Sequence, residues 1–160
     1  MDPITAIIGG AALAGLASQQ KQATQAGAPA TAQDTPQGGV YDIAEAAGHR
    51  YGVPAGMLSR LVLRESGGNP AARGQGGELG LCQFMPRTWQ EWGSGADWRD
   101  PAAQCDAAAR YIVWLHGQLG SSWWRAAAGY NWGVGNMSGT PSDRVPSSVA
   151  TYANAVAGVL

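Results

Sequence analysis

The chain has 160 residues, 45% of them hydrophobic, enough for one folded domain with a sizeable core. Only 13% are charged and the net charge is -1, with nine Arg and the single Lys21 scattered along the chain, so nucleic acid is not expected as a partner. Cys82 and Cys105 are too few for a disulfide framework. With His49 and His116 as the only histidines, they show no metal-ligand spacing, so neither a metal nor a cofactor is expected. The thiols read as free and buried, and both histidines as structural. Glycine, at 24 residues, is about twice its average share and implies many tight turns. Seven tryptophans are suited either to core packing or to the faces of sugar rings.

Residues 1–38 run through Gln, Ala, Thr, Gly and Pro and read as a flexible low-complexity leader and linker. Within it the apolar stretch 4–17 falls short of the roughly 20 residues a membrane-spanning helix needs, and no basic flank makes it a signal peptide. Membrane-surface contact, docking in an assembly and folding back on the domain all remain open for it. From 39 to 160 the pattern is mainly α, since nothing alternates with period two long enough to demand a sheet. Helices are expected near 40–51, 54–66, 86–92, 101–117, 122–131 and 146–159. Pro54, Pro86, Pro101 and Pro146 suit first turns, and Asp100 suits an N-cap.

The second of these helices carries the chemistry. Leu58, Leu61, Val62 and Glu65 fall at i, i+3, i+4 and i+7, which turns the carboxyl toward the same interior as the leucines. Gly67, Gly68 and Pro70 stop the helix just beyond, leaving Glu65 at the negative end of the helix dipole. Burial and dipole both favour the protonated form, and a carboxyl that keeps its proton near neutral pH is what general-acid cleavage of a glycosidic bond requires. The alternative for this position alone is a solvated helix-end glutamate. The Gly-rich loop 71–80 is suited to bringing backbone close to a ligand. The Gly80–Pro86 stretch that follows is expected to be extended and to display Gln83 as an amide. Tyr130 and Asn131 place a phenol and an amide together at a helix end.

Taken in order and spacing, Glu65-Ser-Gly-Gly-Asn-Pro70, Gly80-Leu-Cys-Gln83-Phe-Met-Pro86 and Tyr130-Asn131-Trp-Gly133 resemble the catalytic domain of lytic transglycosylases of the soluble type. The resemblance covers roughly residues 40–157, including Val145-Pro146 and Tyr152 near the end. It implies a lysozyme-like fold, of the goose-type lysozyme and lytic transglycosylase kind, with a groove for the peptidoglycan glycan strand. It also implies cleavage of the bond between N-acetylmuramic acid and N-acetylglucosamine with closure of a 1,6-anhydro ring. By that resemblance Glu65 is the single catalytic acid, Ser66 orients it and Tyr130 stands beside it. Gln83, Met85, Asn131 and Tyr152 are the implied substrate-binding residues.

Two positions depart from the family pattern. Cys82 stands where the family usually has Met, which would exchange a long wall for a small one and reshape a subsite. Glu78, two residues before Gly80, stands where many members have a small residue. It reads either as a solvated loop charge or as a second carboxylate that would favour hydrolysis, as in a muramidase. A third reading, from another class, is a non-catalytic glycan-binding or membrane-active virion structural protein. Among the settings of the family, the leader fits the phage type best: a virion protein that opens the host wall during DNA ejection, with residues 1–38 meeting virion or ejection-machine proteins or membrane. The alternative setting is the bacterial periplasm or a secretion apparatus.

Overall fold

The computed structural model describes residues 39–159. The leader assigned to residues 1–38, with its anchoring role, lies outside the described residues. Seven helices carry the described part: α1 (Val40–Tyr51), α2 (Met57–Ser66), α3 (Pro86–Trp92), α4 (Pro101–Gln118), α5 (Trp123–Trp132), α6 (Val134–Ser138) and α7 (Ser147–Ala157). A 3-10 turn spans Ser142–Arg144, and the only β-pairing among the described residues is two isolated bridges, Arg73 with Leu79 and Leu79 with Phe84.

The helix boundaries follow local chemistry. Asp100 caps α4 by accepting from the Ala102 and Ala103 N–H groups, and Pro86 and Pro101 open their helices at positions whose N–H would be unpaired anyway. Pro54 does not open α2, which starts three residues later. Gly56 sits in the left-handed region at φ 75°, and its N–H donates to the Glu45 carboxylate of α1, so residues 54–56 form a turn that hands the chain from one helix to the next. Pro146 likewise stands just outside α7 as its cap residue, and α7 ends at Ala157, two residues short of the expected limit. The short α6 was not expected: Gly133 breaks the helical path at φ 91°, and the chain re-enters a helix at once.

The 18-residue α4 is the hub. Its Ala107, Ala108 and Ala109 are fully buried, and small side chains there let neighbouring helices approach closely. It packs against α1 on one side and α5 on another, while α7 lies on α5 and α2. Arg60 of α2 donates from Nε to the Val156 carbonyl at 3.0 Å, pinning α7 across α2. Of the seven tryptophans, Trp89 is buried, and Trp92 and Trp114 pack on Tyr111. Trp123 stacks on His116 at 4.0 Å, which gives that histidine a packing role.

Candidate active site

Glu65 lies in the last turn of α2, where the buried Leu58, Leu61 and Val62 draw its face of the helix inward. Gly67 ends the helix with φ 63°, a conformation that a residue with a β-carbon adopts only at a cost. The residue is half-buried, and its carboxyl is removed from bulk water. That desolvation is the largest influence on its pKa, which is raised from 4.5 to about 7. The Tyr152 hydroxyl donates a hydrogen bond to Oε1 and works in the opposite direction, as does Arg64, while the neighbouring Glu78 charge adds to the rise.

Tyr152 is buried on α7, where the Arg60 contact holds that helix against α2. Its hydroxyl is used on the acid, so it meets Glu65 itself in addition to any part in binding substrate. Burial and the nearby Glu65 charge push its own pKa well up, which keeps it a donor.

The segment expected to be extended is instead a tight turn. Gly80 has φ 69° and Gln83 φ 49°, and Leu79 and Phe84 exchange backbone hydrogen bonds across the turn at 2.8 and 3.1 Å. A β-carbon at position 80 would fall 2.5 Å from Gln104 Nε2 and 2.7 Å from the Trp98 carbonyl, so glycine is required there on two counts. Gln83 is therefore buried, and its amide nitrogen donates to the Gly80 carbonyl at 2.7 Å, holding the turn closed. Its left-handed backbone is strained for a non-glycine residue, a feature that concentrates at functional sites.

Three side chains fasten this turn. The Ser66 hydroxyl donates to the Leu81 carbonyl at 2.8 Å, so it grips the turn beside the acid and makes no hydrogen bond to the acid itself. Tyr130, fully buried on α5, donates to the Cys82 carbonyl at 2.9 Å. Its hydroxyl is thus spent on the turn, and Tyr152 is the tyrosine that holds Glu65. Gln104 of α4 accepts from the Cys82 N–H at 2.9 Å and donates to the Trp98 and Leu79 carbonyls at 2.8 and 3.2 Å. No sequence motif singles out Gln104. The available signal was a glutamine in register with the buried Ala108, Tyr111, Ile112 and Leu115 of its helix.

Cys82 is fully buried and lies against the thiol of Cys105 on α4. It forms no wall of a subsite, because its side chain points into the core. Both cysteines are free thiols. Met85 is half-buried at the start of α3, and Asn131 is half-buried in the last turn of α5 directly after Tyr130. Glu78 is half-buried in the loop before the turn, with Oε2 accepting from the Gly76 N–H at 2.9 Å. Among the described residues no group of three His, Cys, Asp or Glu is placed to hold a metal ion, and no helix is long and apolar enough to cross a membrane.

The arrangement is a buried carboxyl that burial makes costly to ionise, held by a tyrosine, beside a strained amide-bearing turn. The lytic transglycosylase Slt of Pseudomonas aeruginosa superposes on 72% of this chain and 22% of its own, with a TM-score of 0.61 at 19% identity. The 70 kDa soluble lytic transglycosylase of Escherichia coli does so over 72% of this chain and 22% of its own, with a TM-score of 0.59 at 21% identity. These likenesses establish the lysozyme-like helical fold. In sequence, the membrane-bound lytic murein transglycosylase F of Ectopseudomonas mendocina is 34% identical over 97 residues, 57% of this chain. The chain spans only 20% of that relative's length. Residues 42–144, more than half of the chain, match the transglycosylase SLT domain, and the protein belongs to that family.

Proposed function

We propose that the protein is a peptidoglycan lytic transglycosylase that cleaves the β-1,4 bond between N-acetylmuramic acid and N-acetylglucosamine. The observation that carries this reading is the Glu65 carboxyl, with a pKa raised to about 7 and one tyrosine hydroxyl on it. Such a group keeps a large protonated fraction near pH 7 and can give its proton to the leaving glycosidic oxygen as the bond breaks. The carboxylate left behind then takes the proton of the muramyl C6 hydroxyl, whose oxygen attacks C1 and closes the 1,6-anhydro ring. The acid is regenerated, and no water enters the product. Gln83, Met85 and Asn131 would contact the glycan, while Ser66 and Tyr130 keep the Gln83 turn in place.

A hydrolytic muramidase is the second reading, favoured by the presence of Glu78 near the acid. A non-catalytic glycan-binding or membrane-active role fits less well, because binding alone has no use for a carboxyl that is costly to ionise. The setting we favour is a phage virion acting on the host wall, with the Gly/Ala/Gln-rich residues 1–38 as the attachment to virion or ejection-machine proteins or membrane. Removing those residues should spare activity on purified sacculi and abolish incorporation into particles.

The test of the activity is release of soluble muropeptides from purified sacculi, with Glu65→Gln alongside. The reading expects release by the wild type, none by the variant, and retained binding of sacculi by both. Release by Glu65→Gln at the wild-type rate would overturn it.

A further inference from the structure

Arg60 of α2 is half-buried, and none of the four ion pairs among the described residues includes it. Its guanidinium lies instead between two backbones. A β-carbon on Gly56, just before α2, would fall 2.5 Å from Nη1, and one on Gly158, just after α7, would fall 2.9 Å from Nη2. The two glycines leave a slot that the planar group fills, with one wall at the start of α2 and the other at the end of α7. From this slot Nε donates to the Val156 carbonyl at 3.0 Å. That carbonyl belongs to the last turn of α7, where carbonyls lack an intrahelical donor, so the arginine supplies a partner that the helix does not.

Among the described residues two side-chain hydrogen bonds pass between α2 and α7: Arg60 to the Val156 carbonyl, and the Tyr152 hydroxyl to Glu65. Both helices therefore carry one end of each bond, and Val156 lies one helical turn beyond Tyr152. Another side-chain tie of α7, from Trp124 Nε1 to Asn154 Oδ1 at 2.6 Å, goes to α5. We infer that Arg60 is a positioning residue for the reaction, fixing the register of α7 on α2 at which the Tyr152 hydroxyl meets Glu65. The inference rests on the reading of Glu65 as the acid and adds what seats its tyrosine. Without the Arg60 bond α7 can shift on α2, the hydroxyl serves the ionised carboxyl less well, and the proton stays on to higher pH. The other groups about Glu65 are Arg64 on its own helix, Glu78 from the loop, and the buried Cys82 and Tyr130 from the turn and α5. None of these is bound to Arg60, whose side-chain hydrogen bond goes to Val156.

The test is a double-mutant cycle read by direct carbon-13 NMR titration of the Glu65 carboxyl, with the pH dependence of muropeptide release measured in parallel. Arg60→Met keeps the aliphatic stem and loses the Nε donor. It should raise the Glu65 midpoint, and the alkaline limb of activity, by about half a pH unit. In a Tyr152→Phe background no hydroxyl remains to be misplaced, so the same substitution should leave the midpoint where Tyr152→Phe alone puts it. Should Arg60→Met not fold, Arg60→Lys keeps the charge but cannot fill the slot between the glycines, and the same two results are expected of it. A Glu65 midpoint unmoved by the Arg60 substitution overturns the inference. So does an equal shift with and without the Tyr152 hydroxyl, which would mean that Arg60 acts on the acid by its charge and not through the tyrosine. Absence of muropeptide release by the wild type would instead count against the proposed activity, and the NMR midpoints would still decide whether Arg60 seats Tyr152.

Discussion

The Tyr152 hydroxyl on the last helix donates to the Glu65 carboxyl, across 87 residues of sequence. This bond favours the ionised acid and so opposes the burial that keeps the proton on. Tyr152→Phe should raise the Glu65 pKa above its value of about 7 and extend activity to higher pH, at a cost of about 1 kcal/mol in stability. The pH profile and a denaturant titration check both parts.

Glu65 also ties stability to pH. Its folded-state pKa is raised, so the folded protein holds this proton more tightly than the unfolded chain. The stabilisation is complete below pH 4.5 and is lost as the pH rises through about 7. Glu65→Gln mimics the protonated form at every pH. It should therefore gain on the wild type between pH 4.5 and pH 8, by roughly 2–3 kcal/mol at the upper end. Unfolding midpoints for both proteins across that range measure the gain, and parallel curves would contradict it.

Gln104 is fully buried and serves three backbone groups around the catalytic turn. Replacement by Leu would leave the Cys82 N–H and the Trp98 and Leu79 carbonyls without that partner. The Leu79 carbonyl keeps the Phe84 N–H, so two groups lose their partner, and the expected loss is about 2 kcal/mol or more, with each group left unsatisfied costing on the order of 1–3 kcal/mol. Thermal unfolding of Gln104→Leu reads this, and hydrogen exchange at the Cys82 amide should accelerate.

Tyr130→Phe isolates the bond to the Cys82 carbonyl while keeping the ring, which packs on Phe84 and Tyr111. The expected cost is about 1–2 kcal/mol. Because the bond holds the Gln83 turn and not the acid, the variant should release muropeptides more slowly with the alkaline limb of its pH profile unmoved. A shifted limb would place Tyr130 on Glu65 instead.

The readable parts of the sequence were those set by local rules. Asp100-Pro101 and Pro86 fixed helix starts through capping and a missing N–H, and the spacing of Leu58, Leu61, Val62 and Glu65 turned the acid inward. The Gly80–Gln83 turn was misjudged because its left-handed geometry at Gln83 is imposed from outside, by Gln104, Ser66 and Tyr130. The Cys82 side chain is expected at a subsite only through the family position usually held by Met, whereas the turn points it at Cys105. That the Tyr152 hydroxyl, and not that of Tyr130, bonds Glu65 depends on how α7 lies across α2, which no local pattern encodes.

The most direct test of the central claim is the end group of the product. Mass spectrometry of muropeptides released from purified sacculi should find 1,6-anhydromuramic acid termini with the wild type and no release with Glu65→Gln. Reducing termini, one water heavier, would contradict a transglycosylase and point to hydrolysis.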